Sequence, residues 1–232
     1  MTNLVPSAIK IIEELKTKAD PQVYDSQSRF GIKGHTRLGI SIYELRKMAK
    51  GLKSHELASQ LWQSGIHEAR ILAAMIDEPE KVSLQLLEEW VKEFDSWDIC
   101  DVVTDELFIH VPEMLSVIPL WANREEEYVK RAAFAMIAAL VVHRSDIRDD
   151  VVKEFLPLIE AASSDDRNFV KKAVNWALRN IGKWRSALRP QAIACAQRLC
   201  ESEHRSAQWI GKDAQKEFTK KFGGINETGI KA

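Results

Sequence analysis

Hydrophobic positions recur at helical spacing through most of the chain. An amphipathic helix is predicted over Leu4 to Ala19, followed by an irregular stretch from Asp20 to Gly39 that carries Pro21, Gly31, Gly34 and Gly39. Helical patterns then continue almost unbroken to Phe222, with short breaks at Gly51, Gly65, Glu78-Pro79, Asp95-Ser96, Ala122-Asn123, His143 to Ser145, Ser163 to Asp165 and Ser202-Glu203. Residues 1–222 read as one all-helical domain, and 223–232 as a disordered tail.

Three helical segments share a pattern: His67 to Ile76, Tyr128 to Ile137 and Phe169 to Leu178. The last two start 41 residues apart, within the range of a two-helix HEAT-type unit. Successive side chains on a helix turn by about 100°, so Val170, Val174, Ala177 and Ile181 form the core stripe of the third segment. Lys172, Trp176 and Arg179 fall together on the far side. The matching positions in the second segment are Arg131, Ala135 and Ala138, and Arg70 begins the row. A recurring cation flanked by small residues predicts a row with room for a ligand to approach.

Composition narrows the class. With 232 residues and 45% hydrophobic content the chain can bury a substantial core, and only 10 Gly and 7 Pro disfavour a many-stranded sandwich. The N-terminus has no basic segment followed by a long apolar run, and no stretch approaches 18 apolar residues, so a soluble cytoplasmic protein is expected. Cys100, Cys195 and Cys200 form no CxxC pair and read as reduced thiols. Net charge is −1, but Arg167 to Cys200 holds eight basic residues and no Asp or Glu. Such a stretch is either a surface for a polyanion backbone or an ordinary solvated helix face.

The chemistry-bearing residues are few. Trp97 and Asp101 stand four apart, about 40° from each other on one helix face, with Ile99 and Val103 opposite. Asp98, just after Asp95-Ser96, belongs in the first helical turn, where a carboxylate complements the helix dipole; its role reads as structural. Trp176 on the basic side of its helix is either packed against a neighbouring helix or free to meet a ligand. Phosphate-cradling glycine loops, nucleophile elbows and HExxH are absent, and the six histidines are scattered singly. No metal or organic cofactor is expected.

Trp97 to Asp101, Tyr128 to Ala133 with Arg131, and Phe169 to Arg179 with Trp176 together resemble the bacterial DNA alkylation-repair glycosylases of the AlkD type. Gly39 to Lys50 is similar to that family's first-repeat signature, although Ile42-Tyr43 stand where the family carries a proline. The resemblance implies an all-α, HEAT-like helical repeat solenoid, an α-α superhelix with a concave basic face. It implies a monomer, without an obligate protein partner or a membrane, that excises 3-methyladenine and 7-methylguanine from duplex DNA. Asp101, Trp97 and Trp176 would be catalytic, stabilising an oxocarbenium-like sugar on one shared site. Arg131 and Lys172 would hold the flanking phosphates, with Arg70, Lys171 and Arg179 as further DNA contacts. The family is also expected to act without a tight base pocket. The alternative is a non-catalytic HEAT-like scaffold that binds DNA or a protein.

Overall fold

Helices follow one another with breaks where turn-forming residues stand. The computed structural model describes residues 7–34 and 36–223. Its elements are α1 (Ala8–Thr17), α2 (Pro21–Arg29), α3 (Ile42–Ala49), α4 (His55–Gln63), α5 (His67–Ile76), α6 (Leu84–Lys92) and α7 (Trp97–Glu106). After them come α8 (Val117–Ala122), α9 (Glu127–His143), α10 (Asp149–Lys153), α11 (Phe155–Ala162), α12 (Asn168–Trp184), α13 (Arg189–Cys200) and α14 (Arg205–Phe222). No strand occurs among the described residues. The tail expected to be disordered lies, apart from Gly223, outside them. Two compact units meet in sequence between Met114 and Leu115, a finer division than the single domain read from the sequence.

In the first unit, α4 and α5 form a helical hairpin, with α1 packed on α4 and with α3 and α7 packed on α5. Trp62 of α4 and Trp90 of α6 stack with ring centroids 3.9 Å apart and planes 4° from parallel. Burying each indole contributes on the order of 2–3 kcal/mol. The stretch after Asp20 is not irregular throughout, because α2 forms inside it. Asp20 caps this helix, accepting from the backbone N–H of Gln22 at 2.8 Å and of Val23 at 3.4 Å, and Pro21 supplies a preset φ at its start. α2 fully buries no residue, so it leaves no apolar stripe to read. A second departure is the segment after α7, where Phe108–His110 and Met114–Ser116 are single 3-10 turns rather than continuous helix.

The connection between α2 and α3 is tied down from below. Glu68 of α5 is fully buried and its carboxylate accepts from the backbone N–H groups of Leu38 at 2.8 Å, Gly39 at 2.8 Å and Ile40 at 3.2 Å. Three donors to one carboxylate compensate its desolvation. Gly39 has φ 77°, and a Cβ there would stand 2.3 Å from the carbonyl oxygen of Asp20. A larger residue would push α2 away.

In the second unit, α9 and α12 pack side by side, α8 lies against α9, and α13 and α14 close over α12. Both long helices have 17 residues and start 41 residues apart, as the repeat predicts. Val170, Val174, Ala177 and Ile181 are fully buried. Polar side chains join the two repeats: Asn180 donates to the carbonyl of Ala138 at 2.9 Å, and Arg185 donates to those of Arg144 and Ile147 at 2.8 Å each. Gly182 lets α14 approach, since a Cβ there would lie 2.5 Å from the Phe218 ring. α9 differs from the expectation. Every residue from Arg131 to Val141 is buried, so Ala135 and Ala138 are packed inside the unit and leave no open floor.

Candidate active site

α7 begins at Trp97, and its first turns carry the residues expected to do chemistry. The indole is half-buried and its orientation is fixed, because Nε1 donates to the carbonyl of Phe30 at 3.1 Å. Trp97 and Asp101 line one cavity of about 340 Å³, together with Gln27 of α2 and apolar side chains from α2, α3, α5 and the segment between α2 and α3. The indole also borders a second cavity of about 310 Å³ that includes Phe30. Ile99 and Val103 are buried on the opposite face of α7, as the helical spacing requires.

Asp98 lies in the first turn of α7, but the helix dipole is only part of what holds it. Its Oδ2 lies 2.8 Å from Nε2 of the buried His67, and Oδ1 accepts from the Ser96 hydroxyl. Burial alone would push this carboxyl up. The hydrogen bond and charge of His67, the Ser96 hydroxyl and the Ile99 N–H outweigh that, so Asp98 sits below the usual carboxylate range.

The basic residues are placed less openly than their sequence spacing suggests. Arg70 pairs with Glu93 and lies 5.1 Å over the Trp62 ring. Arg131 is 5% exposed and donates to the carbonyl of Phe169 at 2.5 Å, tying α9 to the start of α12. Arg179 pairs with Asp213 at 2.9 Å and with Glu217. Lys171 is half-buried, with its ammonium 5.0 Å over the Trp209 ring. Lys172 is exposed and forms no ion pair among the described residues. Trp176 is half-buried. The one-sign stretch of the sequence is thus partly neutralised by acids from elsewhere, with Asp165 on Arg167 at 2.6 Å, Glu217 on Lys183 at 2.8 Å and Glu160 on Arg198.

A family model described as DNA alkylation repair enzyme matches residues 11–218. The chain belongs to that family. A solved structure described as a new family of proteins related to the HEAT-like repeat DNA glycosylases, with affinity for branched DNA structures, superposes with a TM-score of 0.76. The match covers 91% of this chain and 95% of that one at 17% identity, which establishes a HEAT-like helical repeat fold. No curated protein matches the sequence.

In this DNA alkylation repair family member, several residues at the site escaped the sequence reading. His67 and Glu68 sit at the start of α5, the first pinning Asp98 and the second pinning the segment that carries Ile40. Their neighbour Arg70 was visible only as part of a cation row. The one available signal was an adjacent His-Glu pair at a helix start followed by seven apolar residues among the next eight, a place where charged groups are rare unless partnered. Among the described residues no group of three metal-ligating side chains forms, and no helix is long and apolar enough to cross a membrane.

Proposed function

We propose that the protein is a DNA glycosylase that releases cationic alkylated purines, 3-methyladenine and 7-methylguanine among them, from duplex DNA in the cytoplasm. The observation that carries this reading is the placing of the Trp97 indole and the Asp101 side chain along one cavity. A purine alkylated at N3 or N7 already carries positive charge and leaves as a neutral molecule, so little general-acid help is needed. The sugar left behind becomes oxocarbenium-like. Asp101 supplies opposite charge to it and orients the attacking water, while an indole face attracts cationic character. Trp176 is a further proposed residue of the same reaction.

Phosphate contact falls first to Lys172, the open member of the basic set, and then to Lys171. Arg131, being buried, acts by holding the first turn of α12 where these lysines stand. Arg70 and Arg179 contribute through their ion pairs.

A second reading is a HEAT-like protein that binds DNA without cleaving anything. It is favoured by the affinity of the solved relative for branched DNA and by the withdrawal of Arg70, Arg131 and Arg179 into internal contacts. Incubating the purified protein with methylated duplex DNA and measuring free base separates the two. Release of 3-methyladenine or 7-methylguanine in single turnovers supports the enzyme, and tight binding without release supports the second reading.

A further inference from the structure

One face of α14 carries a surface that the excision chemistry does not use. Arg205, Trp209, Lys212, Lys216 and Lys220 recur at helical spacing within about 80° of arc, opposite the buried Ala207, Ala214 and Phe218, and run for about 22 Å along the axis. All five are exposed, the Trp209 side chain included. The two acids of the helix turn instead to α12: Asp213 accepts from Asn175 at 2.7 Å and pairs with Arg179, and Glu217 pairs with Arg179 and Lys183. The four cations of the stripe are left without an ion pair among the described residues. Lys212, Lys216 and Lys220 follow one another four apart, a spacing at which like charges repel. An ordinary solvated face would set acids there, whereas a polyanion laid along the stripe relieves the repulsion.

The indole decides which polyanion fits. Trp209 stands among the cations with 40% of its surface open, and Lys171 of α12 places its ammonium 5.0 Å over the ring. An acidic peptide makes no use of an aromatic platform inside a basic stripe. A nucleobase does, but only where it is unpaired, because within a duplex its faces are taken by the neighbouring bases. We propose that this face of α14, together with Lys171, binds an unpaired DNA strand, with phosphates on Arg205, Lys212 and Lys216 and one base stacked on Trp209. DNA rather than RNA follows from the family to which the chain belongs. The site is separate from Trp97 and Asp101, and it stands whether or not the protein releases a base.

The probe is a fluorescently labelled oligothymidylate of about 12 nucleotides, titrated with the full chain and followed by anisotropy. An oligouridylate, an undamaged duplex and polyglutamate, all of matched length, are the comparisons. Trp209→Ala is expected to weaken oligothymidylate about tenfold without changing the salt slope, and to alter duplex and polyglutamate by less than about twofold. Trp209→Phe should keep most of the affinity. Lys216→Ala should lower the slope by about 0.7, the value of one phosphate contact on a single strand. Thermal melting checks that the variants are folded, and Trp209→Leu, which stays apolar but lacks a ring, decides if Trp209→Ala is not. Three results would each overturn the site: no oligothymidylate binding by the wild type, an equal loss on duplex in Trp209→Ala, or polyglutamate bound as tightly as the oligonucleotide. Tighter binding of oligouridylate would overturn the choice of DNA.

Discussion

Asp98 and His67 face each other across the starts of α7 and α5, with Oδ2 and Nε2 2.8 Å apart and both side chains largely withdrawn from solvent. This pair joins the helix that carries Trp97 and Asp101 to the helix that carries Glu68. Asp98→Asn should lower stability by about 2–3 kcal/mol, more than the roughly 0.3–1 kcal/mol that a helix-dipole contact alone provides. The pH dependence has a definite sign. Asp98 is held below its ordinary range, so its contribution is complete above the unfolded carboxylate pKa of about 3.9 and is lost as pH falls through the lower folded value. Urea titrations from pH 3 to 7 should show Asp98→Asn and wild type converging at the acid end; a constant gap down to pH 3 would contradict the pairing.

The helical repeat was legible because α12 carries a continuous apolar stripe, although it also buries polar and small residues against its neighbours. Val170, Val174, Ala177 and Ile181 alternate with polar residues at a period that only a helix satisfies. α9 was harder. Its small side chains resemble an open face in sequence, yet the helix is enclosed by its neighbours and Ala135 and Ala138 are buried. Charge was misleading for a similar reason. The acids facing Arg179, Lys183 and Arg198 are Asp213, Glu217 and Glu160, which stand 34 to 38 positions away in sequence and invisible to a count along one segment. Trp97 and Asp101 were readable as a pair from their four-residue spacing, whereas the cavity they line depends on α2, which has no stripe to announce it.

Glu68 should prove to be the anchor of that cavity's wall. Glu68→Ala leaves the N–H groups of Leu38, Gly39 and Ile40 without their acceptor, at a cost of about 3 kcal/mol or more. Hydrogen exchange at those three amides should accelerate well beyond the change at Ala73 and Ala74 in the same unit. Equal acceleration throughout the unit would show only global destabilisation.

Asp101→Asn keeps the side chain's shape and removes its charge. Excision of 7-methylguanine should fall by about 100-fold or more, the scale of losing one preorganised electrostatic contact, while affinity for undamaged duplex stays level or rises slightly. Trp97→Phe loses both the Phe30 hydrogen bond and part of the indole face. Its excision should drop by about tenfold, with the binding of undamaged DNA unaffected. Wild-type rates in Asp101→Asn would remove the carboxylate from the mechanism.

Salt separates the cations that meet phosphate from those that hold the fold. Each lost phosphate contact lowers the slope of log affinity against log salt by about 0.9 on duplex DNA. Lys172→Ala, at an exposed position without an ion pair among the described residues, should show that reduction on any sequence, with a melting temperature close to wild type. Arg131→Ala should do the reverse, because its guanidinium is buried and donates to the Phe169 carbonyl. Stability should drop by about 1–3 kcal/mol while the slope changes by much less than 0.9. Arg179→Ala also belongs with the structural class, since removing it leaves Asp213 and Glu217 without a shared cation. If Arg131→Ala lowered the slope by a full contact without lowering stability, the buried arginine would have to turn outward on DNA. The division between Lys172 and Arg131 would then be wrong.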